Sequence, residues 1–222
     1  MTVIEPTRKD IQHPQQIKRN SASLRLWHWL NAIVITGSLL TVLLNSTILD
    51  MRSTTALIKN RLHDAGATVA DKQAWSAAHE LSDKVWALHT YFGYVLAALV
   101  LFRLLMEFFQ VADQKFIGKI KSAYVKYQII KKNRELARHE FWVKTLYAVF
   151  YLMIIIMAVT GLCLAFEDDV PALKAISAFR DIHGFTMYLI LAFIVLHLAG
   201  VFLAERKDSK GIVSDMINGG RE

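Results

Sequence analysis

The chain is 222 residues long, 54% hydrophobic and only 20% charged, with a mean hydropathy of +0.32. That balance argues against a soluble globular domain, and 3 prolines, 10 glycines and no low-complexity tract argue against a disordered or fibrous chain. The single cysteine, Cys163, excludes an internal disulfide, a CxxC redox or zinc site and a CxxCH haem attachment, while the net charge of +7 has no meaning until it is located.

A polar tail, residues 1–24, contains Pro6 and Pro14 and precedes a first uncharged run at 26–49. That run is too long for a signal-peptide core and no small-residue cleavage site follows it, so it predicts a retained helix. The polar insertion 50–84 comes next. In it Asp64-Ala-Gly66 marks a turn, and Trp75 and Leu81, with Trp86 just beyond its end, recur at loose helical spacing. It predicts one or two short surface helices, either an interfacial cap or a docking surface. The second apolar stretch, 85–106, is interrupted at Arg103, where arginine can snorkel to the headgroups. A lysine-rich loop, 107–144, leads to a third stretch at 145–166. A short connection leads to a fourth at 182–204 and a tail at 205–222.

Each stretch suits a hydrocarbon core that needs about 20 helical residues. None alternates with period two, which excludes a membrane β-barrel. The expected fold is therefore an all-α integral membrane protein, a four-transmembrane-helix bundle over residues 25–204. Of the 26 Lys and Arg, 19 fall in the chain up to Arg25, from Arg103 to Lys144 and in the C-terminal tail, and 7 in the other two connections, Asp50 to Lys84 and Glu167 to Asp181. The positive-inside rule then makes both termini and the middle loop cytoplasmic and the 50–84 insertion periplasmic. Anionic membrane lipids account for the basic excess, and no nucleic-acid partner is expected.

Four of the 8 histidines, His28, His89, His183 and His197, lie within or at the mouth of apolar stretches. Ionisable groups there are costly and mark functional sites, with a partner to be named. His183 and His197 are 14 residues apart, which on a helix is a rise of roughly 21 Å and a return to within roughly 40° of the same face. With the orientation above, His28 and His197 lie at cytoplasmic depth and His89 and His183 at periplasmic depth. Two histidines level with each other on different helices are what a noncovalent bis-histidine haem b requires, so two haems are expected. Structural zinc needs four close ligands, and no cysteine or carboxylate is at hand.

Gly37, Gly93, Gly161, Gly184 and Gly200 lie in or at the ends of the four stretches and would leave room for a porphyrin, or equally for close helix packing. Arg25 and Arg103 stand at cytoplasmic depth and Arg180 at the other side. Each can pair with a haem propionate or reach lipid headgroups.

These residues carry a resemblance. Ser23-Leu-Arg-Leu-Trp-His-Trp-Leu30, His89-xxx-Gly93 followed by Arg103, Thr160-Gly161, and His183 with His197 are similar to the b-type cytochrome subunit of membrane-bound Ni/Fe-hydrogenases. That family sits in the wider prokaryotic cytochrome b561 superfamily, with the formate dehydrogenase gamma subunit as a relative. The tail from Arg206 to Gly219 resembles the hydrogenase-type ending, whereas the 50–84 insertion is longer and the connection before the fourth stretch shorter than in those subunits. The resemblance implies a diheme cytochrome b of the bacterial inner membrane. It would move electrons between the quinone pool and a periplasmic redox protein such as a hydrogenase small subunit, another iron-sulfur protein or a c-type cytochrome. It also implies a quinone pocket near His28, Arg25 and His197. The same superfamily offers an alternative, a stand-alone superoxide:quinone oxidoreductase. A reading from another class is a haem-free scaffold or transporter whose histidines are interhelical contacts, but the broken helices and midplane polar cluster of a transporter are absent.

Overall fold

The computed structural model describes residues 22–109, 134–207 and 212–219. All regular structure there is helical: α1 (Ala22–Ser46), α2 (Met51–Asp64), α3 (Asp71–Phe109), α4 (Arg134–Ala165), the single turn α5 (Pro171–Lys174), α6 (Ala178–Lys207) and α7 (Ile212–Asn218). The expected N-terminal tail and most of the 107–144 loop lie outside the described residues.

Four helices, α1, α3, α4 and α6, are long and apolar enough to cross a membrane. Their surfaces agree with that environment. Leu40, Leu43, Val95, Leu101, Phe102, Leu152, Val159, Leu191, Val195 and Leu196 are all exposed, a display that water would not tolerate and lipid tails would.

The chain divides into two compact units, one holding the described residues up to Asn31 with those from Tyr188 onward, the other Ala32–Met187. Within the larger unit α2 packs on α3 and α3 on α4. Its buried apolar side chains include Val34, Ile35, Leu96, Val100, Met153, Ala158 and the fully enclosed Ile154.

The 50–84 insertion holds one short helix as expected, α2, but its second half is not a separate short helix. Asp50 starts α2 by accepting a hydrogen bond from the Ser53 amide, and Gly66, at φ +82°, ends the run. The Gly66 amide donates to the His63 carbonyl and that of Ala67 to Leu62, the paired pattern of a Schellman stop that needs a left-handed residue. The chain then enters α3, which has 39 residues and runs unbroken from Asp71 into the apolar stretch. At 1.5 Å per residue α3 is about 58 Å long, nearly twice a hydrocarbon core of about 30 Å. Its polar first turns therefore continue beyond the apolar part as a post against which α2 lies. Lys59 pairs with Asp71 across the two helices at 2.5 Å, and Ala74 and Ala78 of α3 are buried. The third spanning helix, α4, likewise starts at Arg134, eleven residues before the apolar stretch.

Candidate haem-binding histidine pairs

Two pairs of imidazoles converge, one in each compact unit. His28 of α1 and His197 of α6 have ring centres 6.3 Å apart with planes inclined at 55°. His89 of α3 and His183 of α6 have ring centres 6.2 Å apart at 79°. A direct hydrogen bond between ring nitrogens, at about 2.9 Å, would draw the centres to about 5.1 Å. Two nitrogens bound on opposite sides of one metal at about 2.0–2.1 Å, with about 1.1 Å from nitrogen to ring centre on each side, would set them at about 6.3 Å. Both observed separations match the second arrangement. Among the described residues no three His, Cys, Asp or Glu side chains gather around a common point. Each pair could therefore offer two imidazole nitrogens and no further side-chain ligand among the described residues, a donor set that would fit haem.

Side-chain hydroxyls hold the His89–His183 pair. Thr41 Oγ1 donates to the Ser38 carbonyl at 2.6 Å, so its remaining capacity is as an acceptor, and it lies 2.9 Å from His89 Nδ1. Ser38 Oγ at 3.2 Å and the Ser38 carbonyl at 3.3 Å face the same nitrogen. On the opposite ring, Thr160 Oγ1 donates to the Ile156 carbonyl at 2.7 Å and lies 3.0 Å from His183 Nδ1. Gly161 completes the seat, because a Cβ there would stand 3.1 Å from His183 Cε1. Trp86 meets the His89 ring edge-on at 5.5 Å.

Aromatic rings surround the other pair. Phe193 lies parallel to His197, 5.9 Å away, and Trp29 meets His28 edge-on at 5.4 Å. His28 Nδ1 and Asn31 Oδ1, three residues apart on α1, are buried and have no hydrogen-bond partner among the described residues. Asn31 is only 4% exposed, and its amide nitrogen donates to the Trp27 carbonyl at 2.7 Å.

The expected cofactor-contacting arginines each meet protein groups. Arg103 Nε donates to the Tyr151 hydroxyl at 3.2 Å. Arg180 pairs with Glu167 at 3.0 Å on an exposed connection, where Lys174 also binds Asp168 at 2.8 Å. That contact holds the Asp168 carboxyl below its ordinary range and the lysine above its own. Arg25 reaches Gly219, and its guanidinium occupies the place a Cβ there would take.

The glycines divide by surroundings. Gly37 leaves room for Phe92, whose ring would lie 2.5–2.9 Å from a Cβ, so this glycine serves helix packing. A Cβ at Gly93, Gly184 or Gly200 would meet nothing within 4 Å. Ser38 and Thr41 had no expected role, and Thr160 was expected only as part of the Thr160-Gly161 motif. The available signals were Ser38, Thr41 and Asn45 recurring on one face of an apolar helix, and the threonine of the Thr160-Gly161 pair.

A family model described as prokaryotic cytochrome b561 matches residues 19–219. No curated protein and no solved structure matches the chain. The match spans nearly the whole chain and takes in all four paired histidines: this chain belongs to the prokaryotic cytochrome b561 family, whose members are membrane b-type cytochromes that bind haem and transfer electrons.

Proposed function

We propose that the chain is the two-haem membrane subunit of an oxidoreductase, carrying electrons between a periplasmic redox protein and the quinone pool of the bacterial inner membrane. The observation that carries this reading is the pair of imidazole separations, 6.3 and 6.2 Å, each wide enough that the two histidines would hold one haem between them. Haem, when bound, supplies reversible one-electron exchange at its iron. His28 with His197 and His89 with His183 would hold the two groups. Trp29, Phe193 and Trp86 pack against the imidazoles and restrict their rotation. Both termini are assigned to the cytoplasm by the distribution of Lys and Arg. Quinone is assigned to the neighbourhood of His28, and the orphaned Asn31 Oδ1 on the same helix face supports it as an acceptor for a quinol hydroxyl.

The test is haem stoichiometry and copurification from the native membrane. The unaltered protein should carry two b-type haems per chain, and His197→Ala and His183→Ala should each lose a different one. A native preparation should bring with it an iron-sulfur or c-type protein that reduces, or is reduced by, the cytochrome. Full retention of both haems in the two variants would refute the ligand assignment. Rapid quinone reduction from superoxide by the isolated chain, with no partner, would refute the subunit role.

A further inference from the structure

The hydroxyls facing His89 and His183 share one construction. Thr41 and Thr160 are 2% and 5% exposed, on two helices whose other membrane-facing residues are almost wholly apolar. A buried hydroxyl needs a hydrogen-bond partner, and each threonine finds one in a carbonyl of the preceding turn, at 2.6 and 2.7 Å. The hydroxyl proton is thereby committed to the backbone. What remains on each oxygen is a lone pair, aimed at an imidazole Nδ1 from 2.9 and 3.0 Å. A contact of that length between a lone pair and a ring nitrogen is favourable only if the nitrogen carries the hydrogen. Both rings are therefore fixed as the tautomer protonated on Nδ1, which leaves the Nε2 lone pair for a metal. His28 differs, because its buried Nδ1 has no partner among the described residues.

An imidazole that donates from its remote nitrogen is a stronger electron donor to the metal on the other nitrogen, and stronger donation favours the oxidised metal. We propose that Thr41 and Thr160 are positioning residues that lock His89 and His183 in the Nδ1–H tautomer and lower the reduction potential of the haem these histidines clasp. The inference rests on the two-haem reading above. It adds that reading's missing energetic element, since a lowered potential at the His89–His183 pair favours electron transfer away from it.

The test is potentiometric titration of the two haems in the purified full chain with Thr160→Val, which keeps the shape and removes the hydroxyl, and Thr160→Ser, which keeps the hydroxyl. Thr160→Val should favour the reduced form of one haem by about fivefold. At about 59 mV per tenfold for one electron, that is a rise of about 40 mV. The second haem should not move, and Thr160→Ser should stay near the parent value. Two unmoved potentials in a Thr160→Val protein that retains both haems would overturn the proposal. A Thr160→Val protein that loses the haem shifts the decision to pulsed electron paramagnetic resonance of the unaltered chain. There, the haem of His89 and His183 should show remote-nitrogen quadrupole couplings of hydrogen-bonded imidazoles on both ligands, and couplings of unbonded imidazoles at that haem would overturn it. Unaltered protein without haem would sink the two-haem reading itself, an outcome visible before any variant is made.

Discussion

Trp29 Nε1 donates a hydrogen bond to the main-chain carbonyl of Met216, 187 residues further along the chain, at 3.0 Å. The bond fastens α7 to the helix turn that carries His28. Trp29→Phe keeps the aromatic surface and removes the donor, with an expected loss of about 1 kcal/mol in tail docking. Amide exchange across Ile212–Asn218 should then rise about fivefold. Unchanged exchange would show that the tail is held by other contacts.

Gly219 ends the same helix at φ +80°, where an L side chain is strained, and the Arg25 guanidinium fills the space a Cβ would need. Gly219→Ala should therefore release α7 more fully than Trp29→Phe, at about 1–2 kcal/mol from the backbone alone. Adding Arg25→Ala should recover the steric part and leave the backbone part, so the double variant is expected to fall between the two single ones in the same exchange measurement.

Gly37 and Phe92 form a matched small–large contact between α1 and α3. Gly37→Ala places a methyl group inside the van der Waals envelope of the ring and should destabilise the protein by about 1–3 kcal/mol. Gly37→Ala with Phe92→Leu should regain most of that loss, a coupling that thermal unfolding in detergent would report. Strictly additive losses would mean that the ring has room to move elsewhere.

The four long helices were legible because an uncharged stretch of about 20 residues has few other uses. Their ends were not. Asp71, Lys72, Glu80, Asp83 and Lys84 change the solvent a helix prefers without breaking its hydrogen bonds, so hydropathy marked where α3 leaves lipid, whereas the helix itself starts at Asp71. The histidine pairing was legible for a similarly simple reason, since depth along a helix is a count of residues. The partners of Arg103 and the hydroxyls at His89 and His183 depend on how each helix is rotated about its axis. A helix apolar on every side carries no stripe from which that rotation can be read. Arg103, expected near a propionate or the headgroups, bonds through Nε to Tyr151.

That contact yields its own prediction. Arg103 Nε donates to the Tyr151 hydroxyl, and the guanidinium carbon lies 5.9 Å from the centre of the same ring. Tyr151→Phe removes the acceptor and keeps the face of the ring, so part of the attraction should survive. A double-mutant cycle with Arg103→Met should give a coupling of about 0.5–1.5 kcal/mol in thermal unfolding. Zero coupling would assign the arginine's contribution to its other neighbours.

The start of α2 should respond to acid. Asp50 Oδ1 accepts from the Ser53 amide at 3.1 Å, and hydrogen bonds from Ser53 hold the carboxyl below its ordinary range. The charged form is the one the folded helix favours, so the cap acts in full above the unfolded value of about 3.9 and fades as pH falls through the lower folded value. Protection of the Ser53 amide against exchange should accordingly be flat near neutrality and drop in that acidic window. Asp50→Asn keeps an acceptor oxygen without a titrating proton and should abolish the step while preserving most of the protection. Asp50→Ala should fray the first turn at every pH. A step of the same size in Asp50→Asn would transfer the acid response to another carboxylate, with Asp71, which pairs with Lys59 across the α2–α3 contact, the next group to substitute.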